Sequence, residues 1–225
     1  MRERWARRVA LLSVVLGVGL WPAVLAAGRL PSAASAKGSA VGETALGDLA
    51  ADAVRAAAKA DVALLPAFWL KEVSLPSGEV AGDAARSVLA FPDDEIAVIS
   101  LSGAHLAEAL ERGLALVPRP NKGFLQVAGL SMKFDRRQPP ESRIQEIMVD
   151  TQRLNPAKTY KVAAPLPLAK GALGYFRAFN ASPIAPTRIT LADALARFLA
   201  APGVLAIKGD RLRDLGAPPK PSPQV

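Results

Sequence analysis

From Gly123 to Asp135 the chain reads Gly-Phe-Leu-Gln-Val-Ala-Gly-Leu-Ser-Met-Lys-Phe-Asp, and after Gly129 the apolar Leu130, Met132 and Phe134 alternate with Ser131, Lys133 and Asp135. A period of two places the apolar set on one face of an extended strand. Ile144, Ile147 and Val149 form a second apolar run beyond a turn rich in Pro139, Pro140, Glu141 and Ser142. The two segments are expected to pair antiparallel and to start a sheet, with Phe124, Leu125 and Val127 leading into the first.

Helical spacing governs other stretches. After Thr44, the residues Leu46, Leu49, Ala50, Ala53, Val54 and Ala57 fall on one face, and after Ser102 the same holds for Leu106, Ala107, Ala109, Leu110, Leu114 and Leu116. Ser102 has the chemistry of an N-cap, and Thr190 with Asp193 reads as a capping box for a helix running through Leu199. A short helix is expected from Asp83 to Leu89. The runs Val62 to Leu65, Glu95 to Leu101, Thr159 to Ala164 and Val204 to Ile207 read as further strands. The mixture predicts an α+β fold, mixed sheet layers packed with helices.

Four segments follow from these patterns. Arg2 to Arg8 is basic, Val9 to Leu25 is apolar, and Val24-Leu25-Ala26 offers a cleavable end, so residues 1–26 read as an export signal and the mature chain as periplasmic, envelope-bound or secreted. An uncleaved anchor is the alternative, which Gly17, Gly19 and Pro22 weaken. Residues 27–40 are small and polar without period and are expected to be a flexible spacer. Residues 41–214 hold the domain and 215–225 a Pro-rich tail.

Composition narrows the chemistry. A hydrophobic share of 51% supports a packed core, and the absence of Cys removes disulfides, thiolate metal sites and a thiol nucleophile. One His, His105, cannot furnish a dinuclear metal site or a Ser/His/Asp triad, and its place at the start of a helix gives it no role. Of the net charge of +8, a net +3 lies in the first 26 residues, and the rest is scattered with only Arg136-Arg137 adjacent, so no nucleic-acid stripe is expected. Asp93, Asp94 and Glu95 are consecutive rather than alternate and read as turn residues, not a hard-cation loop. Lys170-Gly171-Ala172-Leu173-Gly174-Tyr175 lacks the Gly-x-x-x-x-Gly-Lys-Ser/Thr order of a phosphate loop. Phe68 and Trp69, adjacent aromatics after a strand, are either a hydrophobic plug or a binding surface.

The order Gly42-Glu43-Thr44-x-Leu46-Gly47-Asp48-Leu49-x-Ala51-Asp52-Ala53, Ala60-Asp61-Val62-Ala63-Leu64-Leu65, Leu101-Ser102-Gly103-Ala104-His105-Leu106-x-Glu108-Ala109-Leu110, Gly123-Phe124-Leu125-Gln126-Val127-x-Gly129-Leu130, Tyr160-Lys161-Val162-Ala163 and Gly171-x-x-Gly174-Tyr175 resembles the C-terminal domain of the 5'-nucleotidases over residues 41–214. The resemblance implies an exported α+β domain that recognises nucleosides and is normally fused behind a metallophosphoesterase domain. It also implies ligand contacts near Phe68, Trp69, Lys71, Phe124, Gly171, Gly174 and Tyr175, with no catalytic residue, metal or cofactor held by this chain. In the family the loop after the second element is an Asn-Gly-Gly turn ending in Arg, and its place is taken here by Pro66, Phe68, Trp69 and Lys71. The carboxylate acceptor of the Gly-rich loop is Leu173, and one stacking ring falls among Pro165 to Leu168. Weak or absent nucleoside binding is therefore expected. Two readings stay open: a non-catalytic module for binding or assembly, with Phe68, Trp69, Phe176 and Phe179 on its contact surface, or the recognition part of a nucleotidase whose phosphatase domain is a separate chain. No nucleic acid, and no membrane after signal cleavage, is expected as a partner.

Overall fold

A computed structural model describes residues 28–218 apart from Gly82, Asn180, Ala181 and Lys208, so the segment read as an export signal and the end of the tail lie outside the described residues. The chain opens with β1 (Gly28–Leu30) and β2 (Ala34–Ser35), then α1 (Ala45–Ala58) and β3 (Val62–Pro66), which ends in a 3-10 turn over Ala67–Trp69. β4 (Ser74–Leu75), β5 (Gly78–Val80) and α2 (Ala84–Val88) lead to β6 (Glu95–Ser102) and α3 (Gly103–Leu114). β7 (Leu125–Ala128), β8 (Leu130–Phe134), β9 (Ile144–Val149), β10 (Gln152–Arg153) and β11 (Thr159–Pro165) follow, then α4 (Leu166–Ala169), α5 (Phe176–Phe179), β12 (Ile184–Thr190), α6 (Leu191–Leu199), β13 (Gly203–Val204) and β14 (Leu212–Asp214).

Two sheets carry the fold. The larger has the order β12-β6-β11-β3-β7, with β3 and β11 parallel and the other neighbours antiparallel; the smaller is β10-β9-β8-β14. The stretch from Gly123 to Asp135 is thus two strands in two sheets. Gly129, at φ 78°, divides them, and a Cβ at this position would run into the Asp61 carbonyl, so only glycine lets the chain cross from one sheet to the other. β8 pairs with β9 as the pattern predicts, from Leu130↔Val149 to Phe134↔Ile144. β7 is buried at every position, with α1 and α3 packed against it.

Residues 28–40 are not a spacer. β1 lies between β13 and β5, β2 pairs with β4, and Leu30, Ala34 and Ala36 are buried. Small residues carry little periodic signal, but they let this strap pass close to α6: a Cβ on Gly28 would collide with the Leu199 carbonyl. The strand expected over residues 204–207 is reduced to Gly203–Val204, which lies at a sheet edge.

Two distant sequence blocks meet at Gln126. Its buried side-chain amide donates to the carbonyls of Ser39 at 3.1 Å and Gly42 at 2.9 Å, and its oxygen accepts the Thr44 N–H at 3.0 Å. Thr44 in turn accepts the Gly47 N–H at 3.2 Å as the N-cap of α1. A Cβ on Gly47 would fall inside the Gln126 side chain. The glycine at 47 and the glutamine at 126 are therefore one device, which fixes where α1 begins relative to β7.

A buried charged cluster ties the C-terminal segment to α1. Arg211 donates to Asp52 and to the Val127 carbonyl, each at 2.6 Å, while Glu43 accepts the N–H groups of Arg211 and Leu212, each at 3.0 Å. Asp48 sits 3.9 Å from the Arg211 guanidinium with neither carboxyl oxygen hydrogen-bonded. Burial pushes its pKa up to about 9; Arg211 opposes this and Glu43 adds to it.

Candidate functional site

The parallel pair β3 and β11 ends at Pro66 and Pro165, beside the starts of β7 and β6. Four connections converge on this rim: the turn after β3, α4 and the Gly-rich turn after β11, residues 91–94 before β6, and residues 122–124 before β7. Ligands of sheets with parallel strands favour the carboxyl ends of those strands. Backbone hydrogen bonds stitch the connections together, from Ala67 N–H to the Phe124 carbonyl at 2.8 Å, from Phe68 N–H to the Lys122 carbonyl at 2.9 Å and from Ala90 N–H to the Trp69 carbonyl at 2.9 Å.

The expected contact residues separate into two groups. Trp69, Phe124, Tyr175 and Phe179 are buried, so the packed interior and not a ligand takes their faces. Trp69 is the plug of the two alternatives, its Nε1 donating to Asp94 at 2.7 Å. The Tyr175 hydroxyl donates to the Gly123 carbonyl at 2.6 Å, and burial raises its phenol above the ordinary range. Phe179 stacks on Tyr175 at 5.6 Å between centroids. Phe68 is half-buried, whereas Lys71 and Phe176 are exposed.

Gly171 and Gly174 have φ of 94° and 83° and serve turn geometry. A Cβ on Gly171 would lie 2.7 Å from that of Phe176, and one on Gly174 would lie 2.8 Å from the Arg112 guanidinium. Leu173 between them also has positive φ, 59°, unusual for a side chain of this kind, and its carbonyl accepts from Arg112 at 2.7 Å. Pro165 to Leu168, the stretch matching the family's second ring, turns into the Pro-led α4.

Phe91 is the residue that sequence reasoning missed. It is 40% exposed, stacks on Phe68 at 4.9 Å with 25° between planes, and meets Trp69 edge-on at 6.3 Å. Lys122 holds its ammonium 5.8 Å from the Phe68 ring. The available signal was an aromatic before Pro92 in a turn with no periodic role. The neighbouring acids are structurally engaged: Asp94 by Trp69, Asp93 by Arg86 at 2.9 Å, and Glu95 by the Arg188 N–H. The rim is thus an aromatic step flanked by lysine. Such a surface can stack a flat ring and attract an anion, but it offers no free carboxylate among these three.

The sequence model of the family described as 5'-nucleotidase, C-terminal domain, matches residues 24–181, more than two thirds of the chain. The chain belongs to this family. The 5'-nucleotidase C-terminal domain seen here is 29% identical over 142 residues to the trifunctional nucleotide phosphoesterase protein YfkN of Bacillus subtilis (strain 168), a match that covers 59% of this chain and 10% of that protein. Among solved structures it superimposes on a 5'-nucleotidase precursor from Thermus thermophilus with a TM-score of 0.77 at 23% identity, covering 87% of this chain and 40% of the other. It also superimposes on the Haemophilus influenzae NAD nucleotidase with a TM-score of 0.72 at 18% identity, covering 84% and 38%. The chain therefore spans a tenth of the curated relative and about two fifths of these solved chains. At such identities the superpositions establish the α+β fold of the domain. Among its described residues, no helix is long and apolar enough to cross a membrane, and no three His, Asp or Glu side chains are grouped to hold a metal.

Proposed function

We propose that this domain is an exported, non-catalytic recognition or assembly module that keeps the 5'-nucleotidase C-terminal fold. The character of the rim supports this reading. Phosphoryl hydrolysis at a metal pair needs clustered ligands that hold the two metals about 3.5–4 Å apart, whereas the rim presents Phe91, Phe68, Lys122 and Lys71 and its three acids bind structural partners. The position matching the family's ribose acceptor is Leu173, an alkyl group that cannot accept a hydrogen bond. The test is turnover of nucleotides and simple phosphate esters by the purified mature protein with Mn²⁺, Zn²⁺ or Mg²⁺. No hydrolysis is expected, and turnover that survives a second purification and chelator controls overturns the proposal.

The second reading, nucleotide recognition for a phosphatase domain on another chain, draws on the open face of Phe91. A base stacked there gains about 1–3 kcal/mol. Calorimetry with adenosine separates the readings. Millimolar or weaker binding fits the first; micromolar binding that falls at least tenfold in Phe91→Ala replaces it with the second, and co-purification with a metallophosphoesterase would point the same way.

A further inference from the structure

The segment from Arg211 to Asp214 is fastened mainly by polar contacts. β14 is an edge strand paired only with β8, from Leu212↔Met132 to Asp214↔Phe134, and its one large apolar side chain, Leu212, is half-buried. Arg211 at the head of the strand is buried, and the charges around its guanidinium do not balance. Glu43, Asp48 and Asp52 face it from α1 and the turn before it. Asp52 accepts from Arg211, and Glu43 accepts the N–H groups of Arg211 and Leu212. Asp48, 3.9 Å from the guanidinium and sealed from solvent, receives no hydrogen bond from a described donor. Three carboxylates against one cation leave an excess of negative charge in a buried place, which a protein relieves by holding a proton. A proton on Asp48 reduces the excess and lets that side chain donate to Glu43.

No neighbouring element corrects the sum. β2, β3 and β7 carry no titratable side chain, and Asp193 and Arg197 of α6 are exposed. Glu95 of β6 accepts the Arg188 N–H, Tyr160 of β11 accepts the Asn155 N–H, and Lys161 is exposed. Arg55 of α1 turns to Asp150, Lys59 and Asp210 are exposed, and Asp214 pairs with Arg136.

We propose that this cluster is a proton-controlled latch: with one proton held between Glu43 and Asp48 the segment from Arg211 to Asp214 stays on the domain, and loss of that proton releases it while the large sheet remains folded. Burial sets the direction. Closed, Asp48 keeps its proton up to about pH 9; opened, water reaches it and it titrates near 3.9 like an ordinary aspartate. Because the closed value is the higher, closure is strongest below about pH 4 and weakens as pH rises through the window from about 4 to 9. The release is local because the strand has no fully buried apolar anchor. It bares the edge of β8, whose unpaired backbone groups are a template for another strand.

The test is hydrogen exchange on the mature protein at pH 5, 6, 7 and 8, divided by the intrinsic rate at each pH. It compares a peptide holding Arg211 to Leu215 with one holding Val62 to Leu65 of β3. Protection of the Arg211, Leu212 and Leu215 amides is expected to lie below that of β3 and to fall about tenfold per pH unit, the slope of one proton. Dilute guanidinium chloride should lower the protection of β3 and leave that of the segment unchanged, as for an opening that exposes little surface. In Asp48→Asn the protection of the segment should not vary with pH. Should that variant fail to fold, the wild-type series decides alone. Protection of the segment that is independent of pH, that equals the protection of β3 throughout, or that keeps its slope in folded Asp48→Asn overturns the proposal.

Discussion

Replacing Asp48 by Asn should stabilise the protein at neutral pH. An unfolded aspartate titrates near 3.9, whereas burial between α1 and Arg211 holds the folded carboxyl at about 9. Because the folded pKa is the higher one, the folded state binds the proton more tightly than the unfolded state. The carboxyl then costs nothing below about pH 4, its cost grows as pH rises through the window from about 4 to 9, and it is constant above that. At pH 7 the gap of about three units corresponds to roughly 4 kcal/mol, with the attraction of Arg211 already included. Asparagine has the same shape and no charge. Its N–H group can donate to Glu43, as the protonated carboxyl would, but its oxygen has no donor, and such a group costs about 1–3 kcal/mol. The net expectation is a gain of about 1–3 kcal/mol at pH 7 that vanishes or reverses near pH 4. Guanidinium chloride unfolding of both proteins at pH 4.5, 6, 7.5 and 9 reads the difference directly. A variant that is less stable at pH 7.5, by an amount that does not change with pH, would show that Asp48 is ionised and paired with Arg211, and the burial argument would be wrong.

Three further outcomes follow from the packing. Gly47→Ala should cost about 2–4 kcal/mol in chemical unfolding, because the added methyl displaces Gln126 from its buried hydrogen bonds; a cost under about 0.5 kcal/mol would mean that Gln126 moves freely. Leu30→Ala should cost about 2–4 kcal/mol, as for a core leucine, and an unchanged midpoint would return residues 28–40 to the status of a spacer. In the double variant Pro167→Phe, Leu173→Asp, adenosine should bind at least about 30-fold more tightly than in the wild type, since a ring and a ribose acceptor return together; at position 173 Asp also tolerates the positive φ better than Leu does. Unchanged affinity in calorimetry would show that the cleft itself has closed.

The sequence displays what repeats and hides what happens once. The alternation at Leu130, Met132 and Phe134 and the helical spacing after Thr44 and Ser102 are periodic signals, and the corresponding elements form where the pattern predicts, except that α3 stops at Leu114 and leaves Leu116, expected on its face, exposed. β1, β2, β5 and β13 are two or three residues long, too short for any period, and are held by pairing with distant chain rather than by their own pattern. The blocks from Gly42 to Ala53 and from Gly123 to Leu130 carry the family resemblance, but their joint role at Gln126 depends on contacts across more than 80 positions. The rim shows the same division. Its place after β3 and β11 was legible, yet the accessibility of each aromatic was not, because a plug and a contact residue have identical chemistry. Trp69 and Tyr175 turn inward with a hydrogen-bond partner each, Phe124 and Phe179 turn inward with none to satisfy, and Phe91, of the same chemistry as the last two, stays partly outside.

The pairing of β1 with β13 joins Gly28 to Gly203, about 175 positions later in the chain. Closing a loop of that length by itself costs about 4–5 kcal/mol of chain entropy, and the partner strand does not exist until nearly all of the domain has been made. Until then β1 has at most one neighbour, β5, and its glycine has no α6 to rest against. The beginning of the domain is thus among the last parts to be locked. The contact that closes the domain joins its first strand to one of its last, so a change at Gly203 or Val204 is felt at Gly28 and Arg29.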